Sequence, residues 1–176
     1  MTLHPELQKA MVLTDADRQR ILDRVQGLTQ SQIDYKSAPE TWSVGEVLHH
    51  LIRIEVSISK LFNKLIKENQ RVIGASDVLR IEEMTYGADR PQQAPEFGIP
   101  THGRSFGDLL TELAATRERT TQTLAKYTGD DPSELRWTHH RFGDIGMAHW
   151  VRFIGLHEGH HLRQIERIIA APGFPK

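Results

Sequence analysis

The chain has 176 residues, long enough to bury a sizeable core as one domain without staples. Its 22 Lys and Arg against 23 Asp and Glu leave the net charge near zero, which argues against a nucleic-acid surface, and no block of like charge marks a tail. Cysteine is absent, which excludes disulfides, thiolate metal sites and a cysteine nucleophile, whereas ten histidines are many for this length.

Met1 to Ala10 lacks an apolar run of signal-peptide type, and no stretch approaches the ~18 apolar residues of a membrane span. A cytoplasmic protein is expected. His4 to Met11 reads as a short helical turn. The first long helix is expected to begin at Thr14, capping the turn that ends at Asp17, and to carry Ile21, Leu22, Val25, Leu28 and Ile33 before Pro39 breaks it. The second starts at Ser43-Val44-Gly45-Glu46, which fits a capping box, with Trp42 and Val47 at the positions of a hydrophobic staple. Its apolar face runs through Val47, Leu48, Leu51, Ile54, Ile58, Leu61, Phe62 and Leu65 to about Lys67.

Residues 69–104 are expected to hold a short helix, Ser76 to Met84, and then only loop, punctuated by Gly87, Pro91, Pro95, Gly98, Pro100 and Gly103. A connection this long is either a functional lid or plain surface loop. Ser105 with Asp108 starts the third helix, whose stripe is Leu109, Leu110, Leu113, Leu124 and Tyr127, and Gly129 ends it. A second connection, through Trp137 and His139-His140, leads to Asp144 as the expected cap of a last helix patterned from about Ile145 to Ala171. No segment reads as a strand. Four amphipathic helices bury their stripes most simply as an all-α bundle, residues 1–176 forming a single domain.

The last helix contains His157-Glu158-Gly159-His160-His161. At ~100° per residue, His157 and His161 lie about 40° apart, on a face that also carries Trp150, Ile154 and Ile168. A metal ion, a hydrogen-bond network or a pocket would each explain two imidazoles on an apolar face. The i, i+4 spacing lets both rings reach one ion at the ~2.0–2.1 Å of Zn–N bonds. A third ligand must then come from a facing helix. His50 is the best candidate, since it shares its side with Val47, Ile54 and Leu61, whereas His49 turns toward Arg53 and Lys60 and is expected to face solvent. The same residues match the H-E-x-x-H of zinc metalloproteases, with Glu158 as general base. The context argues against that reading: no histidine follows His161, no strand is expected that could align a peptide, and Glu158 turns away from His50.

Gly155 and Gly159 lie opposite His157. Two interior glycines cost a helix about 1 kcal/mol each relative to alanine. Close approach by the first or third helix, or by a dimer partner, would explain them, and the intrachain contact is favoured. Gln164 lies one turn past His161, where it can hydrogen-bond a ring or a ligand, or simply end the bundle. Trp150 is read as core packing or a pocket wall, Tyr86 and Arg90 as possible substrate contacts, and Arg104 with His139-His140 as solvated loop residues.

Three stretches together resemble the DinB/YfiT-like superfamily. They are Trp42-Ser43-Val44-Gly45-Glu46-Val47-Leu48-His49-His50-Leu51, Phe142-Gly143-Asp144 with Trp150, and His157-Glu158-Gly159-His160-His161-Leu162-Arg163-Gln164-Ile165. The resemblance implies an up-down-down-up four-helix bundle with long loop connections, often a homodimer. It also implies a divalent metal ion, zinc, nickel or similar, held by His50, His157 and His161, with His49 and His160 on non-ligand columns. Relatives of known activity include transferases and isomerases that use low-molecular-weight thiols. The expected function is therefore that of a metal-dependent enzyme, a transferase joining a small thiol to a small-molecule substrate, with no membrane or nucleic-acid partner. The alternatives are a non-catalytic, metal-stabilised or stress-related binding protein and a hydrolase using metal-bound water; a site with no metal would leave only hydrogen-bonded imidazoles. No residue is singled out as catalytic.

Overall fold

The structure, a computed structural model, describes residues 2–73, 84–85, 93–140 and 142–176. Pro5 at the first helical position and His4 as cap open α1 (Pro5–Val25), which is continuous through Thr14. Thr14 does not cap a helix, because its hydroxyl donates to the Val151 carbonyl at 2.9 Å. The helix also stops earlier than its apolar pattern suggests. Gly27 takes φ +82°, and Thr29 with Gln32 forms a capping box for the short α2 (Gln30–Ile33).

The capping box expected at Ser43 is present: its hydroxyl accepts from the Glu46 N–H, Glu46 reaches back to the Ser43 N–H, and α3 (Val44–Glu68) follows. Ser105 caps α4 (Phe106–Leu124), which ends short of Gly129. The last helix is α5 (Met147–Ile169).

Two apolar clusters fix the helix directions. One gathers Leu7 and Met11 of α1, Ile58 and Phe62 of α3, Leu124 of α4, and Met147 and Val151 of α5. The other gathers Ile21 and Val25, Val44 and Val47, Leu109 and Leu113, and Leu162 and Ile165. Thus α1 and α5 run one way while α3 and α4 run the other, an up-down-down-up four-helix bundle. Because α3 and α4 are parallel neighbours, the segment between them must return along the bundle. A helix of 25 residues is roughly 37 Å long, so a returning connection needs at least about 11 extended residues, which the 69–104 segment exceeds. Residues 76–83 of the helix expected there, together with Tyr86 and Arg90, lie outside the described residues.

The expectation of no strand is corrected. β1 (Arg136–His139) and β2 (Gly143–Gly146) form an antiparallel hairpin, with Trp137 opposite Ile145 and Thr138 opposite Asp144. Four-residue strands are too short to show a period. Asp144 accepts a hydrogen bond from the Thr138 hydroxyl across this hairpin, so it does not cap α5; that position falls to Gly146, which offers no side chain. Among the described residues no helix is long and apolar enough to cross a membrane.

Candidate metal centre

The early turns of α3 and the middle of α5 bring three buried imidazoles together: His50, His157 and His161. Their Nε2 atoms face one another, His50 to His157 at 3.4 Å and His161 to His157 at 3.1 Å. Two Zn–N bonds of ~2.0–2.1 Å at a tetrahedral angle span about 3.3 Å, so this spacing suits one ion.

Hydrogen bonds to the outer ring nitrogens decide which lone pairs point inward. A carbonyl oxygen can only accept, so Nδ1 of His50, 2.6 Å from the Gly98 carbonyl, must carry its proton. Nδ1 of His161 donates to Oε1 of Gln164 at 2.7 Å, the partner expected one turn on. In the neutral rings the Nε2 atoms of His50 and His161 are therefore both acceptors, and His157 could donate to only one of them. At least two lone pairs converge on a small buried space, a donor set that fits a divalent cation. Burial holds all three imidazoles below their usual pKa, His161 down at about 3, so they are neutral and ready to bind.

The surroundings of the triad are aromatic. The half-buried Trp42 ring lies 4.9 Å from that of His50 and stacks over His161 at 6.4 Å, while Phe153 lies 5.6 Å from His157. Trp150 is buried and packs on the hairpin, its indole N–H donating to the Trp137 carbonyl at 3.1 Å. The described part of the crossover also reaches the site. Gly98 presses its backbone on His50, and a Cβ there would fall 3.2 Å from the imidazole and 3.0 Å from Ile54.

Several solvent-facing expectations are corrected. His49 is buried, and its Nδ1 accepts the Thr101 N–H at 2.9 Å. His139 is also buried, its ring 4.4 Å from Phe153 and 5.1 Å from Trp150 in an aromatic cluster under the hairpin. Arg104 forms a two-pronged ion pair with Glu112. His160 is half-buried beside His161 and outside the triad.

Glu158 has a role that residue spacing did not suggest. Its Oε1 accepts from Arg18 Nε at 3.0 Å and Arg117 Nη2 at 2.8 Å, and Glu55 binds the same two arginines. Burial pushes the Glu158 carboxyl up to about 7 against the pull of these arginines, whereas at Glu55 the two arginine charges outweigh burial and the pKa is lowered. An acid engaged in this way is not placed as the general base of a metalloprotease.

A sequence profile of the DinB superfamily matches residues 13–165. The chain belongs to the DinB superfamily. It is 29% identical over 151 residues to the uncharacterized protein YuaE of Bacillus subtilis (strain 168), covering 83% of this chain and 88% of that protein. Its fold is similar to that of TT2238, described as a four-helix bundle protein, with a TM-score of 0.61 and 17% identity over 91% of this chain and 98% of that one. The DinB bundle thus brings the triad together from its second and fourth long helices, across the interface between oppositely directed helices.

Proposed function

We propose that this DinB protein is a metal-dependent enzyme whose divalent ion, zinc, nickel or similar, is held by Nε2 of His50, His157 and His161. The observation that carries the reading is the convergence of these three buried nitrogens, with two of the rings oriented by Gly98 and Gln164. Among the described residues the candidate group holds three ligands and no fourth, whereas structural zinc sites are normally closed by four. This favours an open, catalytic position over a purely structural one. When bound, such an ion supplies Lewis acidity that lowers the pKa of a thiol or water in the open position.

The reaction we favour is transfer of a low-molecular-weight thiol to a small electrophilic substrate. The protein's part is to present three neutral imidazoles and to exclude bulk water with Trp42, Phe153 and the Gly98 segment. It contributes no thiol, since the chain has no cysteine. We also propose that it works as a homodimer in the cytoplasm, with the oligomeric state checked by analytical ultracentrifugation.

Metal analysis of purified protein, followed by an activity screen of the loaded protein with several thiols and electrophiles, tests the reading. We expect stoichiometric metal that is lost in His157→Ala and His161→Ala. Full occupancy in those variants would overturn the ligand assignment. Intact binding with no turnover would instead favour the non-catalytic, metal-stabilised protein.

A further inference from the structure

Between its members of the two apolar clusters each long helix turns one charged residue into a shared layer: Arg18 on α1, Glu55 on α3 and Glu158 on α5 are buried, and Arg117 on α4 is half-buried with 12% of its side chain exposed. The packing of the helices gives this layer its meaning. α5 packs chiefly on α1 and α3 chiefly on α4, while contact between α3 and α5 is sparser. The bundle is therefore two helix pairs meeting at a seam. The three histidines span that seam, with His50 from one pair and His157 and His161 from the other.

The charges span the same seam reciprocally. Arg18 bonds Glu158 within its own pair and Glu55 across the seam, the latter at 2.8 Å. Arg117 bonds Glu55 within its pair at 2.8 Å and Glu158 across the seam at 2.8 Å. Arg18 Nη1 also donates across to the Leu113 carbonyl at 3.2 Å, and Arg117 pairs across with Asp15. Every cross-seam bond is directional.

A buried ion network is a poor source of stability, because well-packed apolar residues of similar volume often do as well or better. It does resist sliding, which leucine and isoleucine stripes tolerate. A metal centre needs its donors placed to within about 0.2 Å, and here they come from opposite sides of the seam. We propose that Arg18 and Arg117 are positioning residues, holding the α1/α5 pair against the α3/α4 pair in the register at which His50 meets His157 and His161. The inference rests on reading those histidines as metal ligands.

The test replaces the layer by methionine in Arg18→Met/Glu55→Met/Arg117→Met/Glu158→Met. Arg117→Lys is made beside it, since lysine keeps the charge but lacks the fork that reaches both carboxylates. Affinity for Zn²⁺ and Co²⁺ and the visible spectrum of the Co²⁺ form are measured. The seam is read without metal: Lys60→Cys on α3 and Arg163→Cys on α5, both exposed, carry spin labels in an otherwise cysteine-free chain.

We expect the methionine variant to keep or raise the metal-free Tm, to lose metal affinity at least tenfold with an altered Co²⁺ spectrum, and to broaden the label-to-label distance distribution. Wild-type affinity or a wild-type distance distribution in the folded variant overturns the proposal. If the methionine variant does not fold, Arg117→Lys decides: reduced affinity at an unchanged Tm supports positioning, and reduced Tm at unchanged affinity overturns it. If the wild-type protein binds no metal, the metal reading fails, and the distance distribution still decides whether the charges hold the seam.

Discussion

At the scale of single residues, the proposed centre should depend on groups that would not touch the ion. Gln164 and the Gly98 carbonyl each take the Nδ1 proton of a ring whose Nε2 faces inward. Removing such a partner typically weakens metal binding about 10- to 100-fold. Gln164→Leu should fall in that range by chelator competition while metal-free stability changes little; unaltered affinity would mean that the hydrogen bond does not orient His161. Burial sets a pH dependence as well. The unfolded chain protonates these histidines near pH ~6.5, whereas folded His161 does so only near 3. Between those values the unfolded state binds more protons at this ring, so the ring's contribution to stability rises with pH and is lost as pH falls below ~6.5. One ring contributes a slope of about 1.4 kcal/mol per pH unit in that window. In urea titrations of metal-free protein between pH 5 and 6, His50 and His157 add slopes of the same sign and Glu158, raised to about 7, adds one of opposite sign. The difference between wild type and His161→Leu should therefore isolate the slope of this one ring; an unchanged slope in His161→Leu would rule it out.

At the scale of elements, the two glycines of α5 separate cleanly. A Cβ on Gly155 would lie 2.8 Å from the Thr14 Cα of α1, while one on Gly159 would meet nothing nearer than 3.9 Å. The favoured intrachain contact is therefore real, and only one of the two positions needs it. Gly155→Ala should destabilise the fold by about 1–3 kcal/mol, since backbone cannot yield as a flexible side chain does. Gly159→Ala should be neutral or stabilising by up to about 1 kcal/mol from helix propensity alone. Chemical denaturation of both variants checks the pair, and equal signs would rule out the close approach as the cause.

At the scale of the molecule, the two apolar clusters lie toward opposite ends of the bundle and neither requires an ion. Metal should therefore add to stability without being needed for folding. Saturation at ~100 times Kd adds about 2.7 kcal/mol, which for a chain of 176 residues raises Tm by roughly 5–10 °C. Chelated protein should remain helical by circular dichroism, and His50→Ala should abolish the metal-dependent rise. Unfolding on chelation would instead make the ion structural.

Periodicity alone carried the four helices, because an amphipathic stripe repeats the same physical requirement every turn, and local chemistry carried the Ser43 capping box. The pairing of His157 with His161 was legible for the same reason: both sit on one helix. What one helix cannot encode is its neighbour. Thr14 looked like a cap because the Val151 carbonyl that takes its hydroxyl lies on α5. His49 and His139 looked exposed because Thr101 and Phe153 come from elsewhere in the chain. Arg18, Glu55 and Arg117 carried no signal at all, since an isolated charge on a helix reads as solvated until three other helices close around it. The sequence by itself determined the helices, their stripes and the candidate ligands, all of them short-range patterns. Only the tertiary structure decided which buried charges tie the two helix pairs together and which backbone groups orient the histidines, because those bonds join segments separated by dozens of residues.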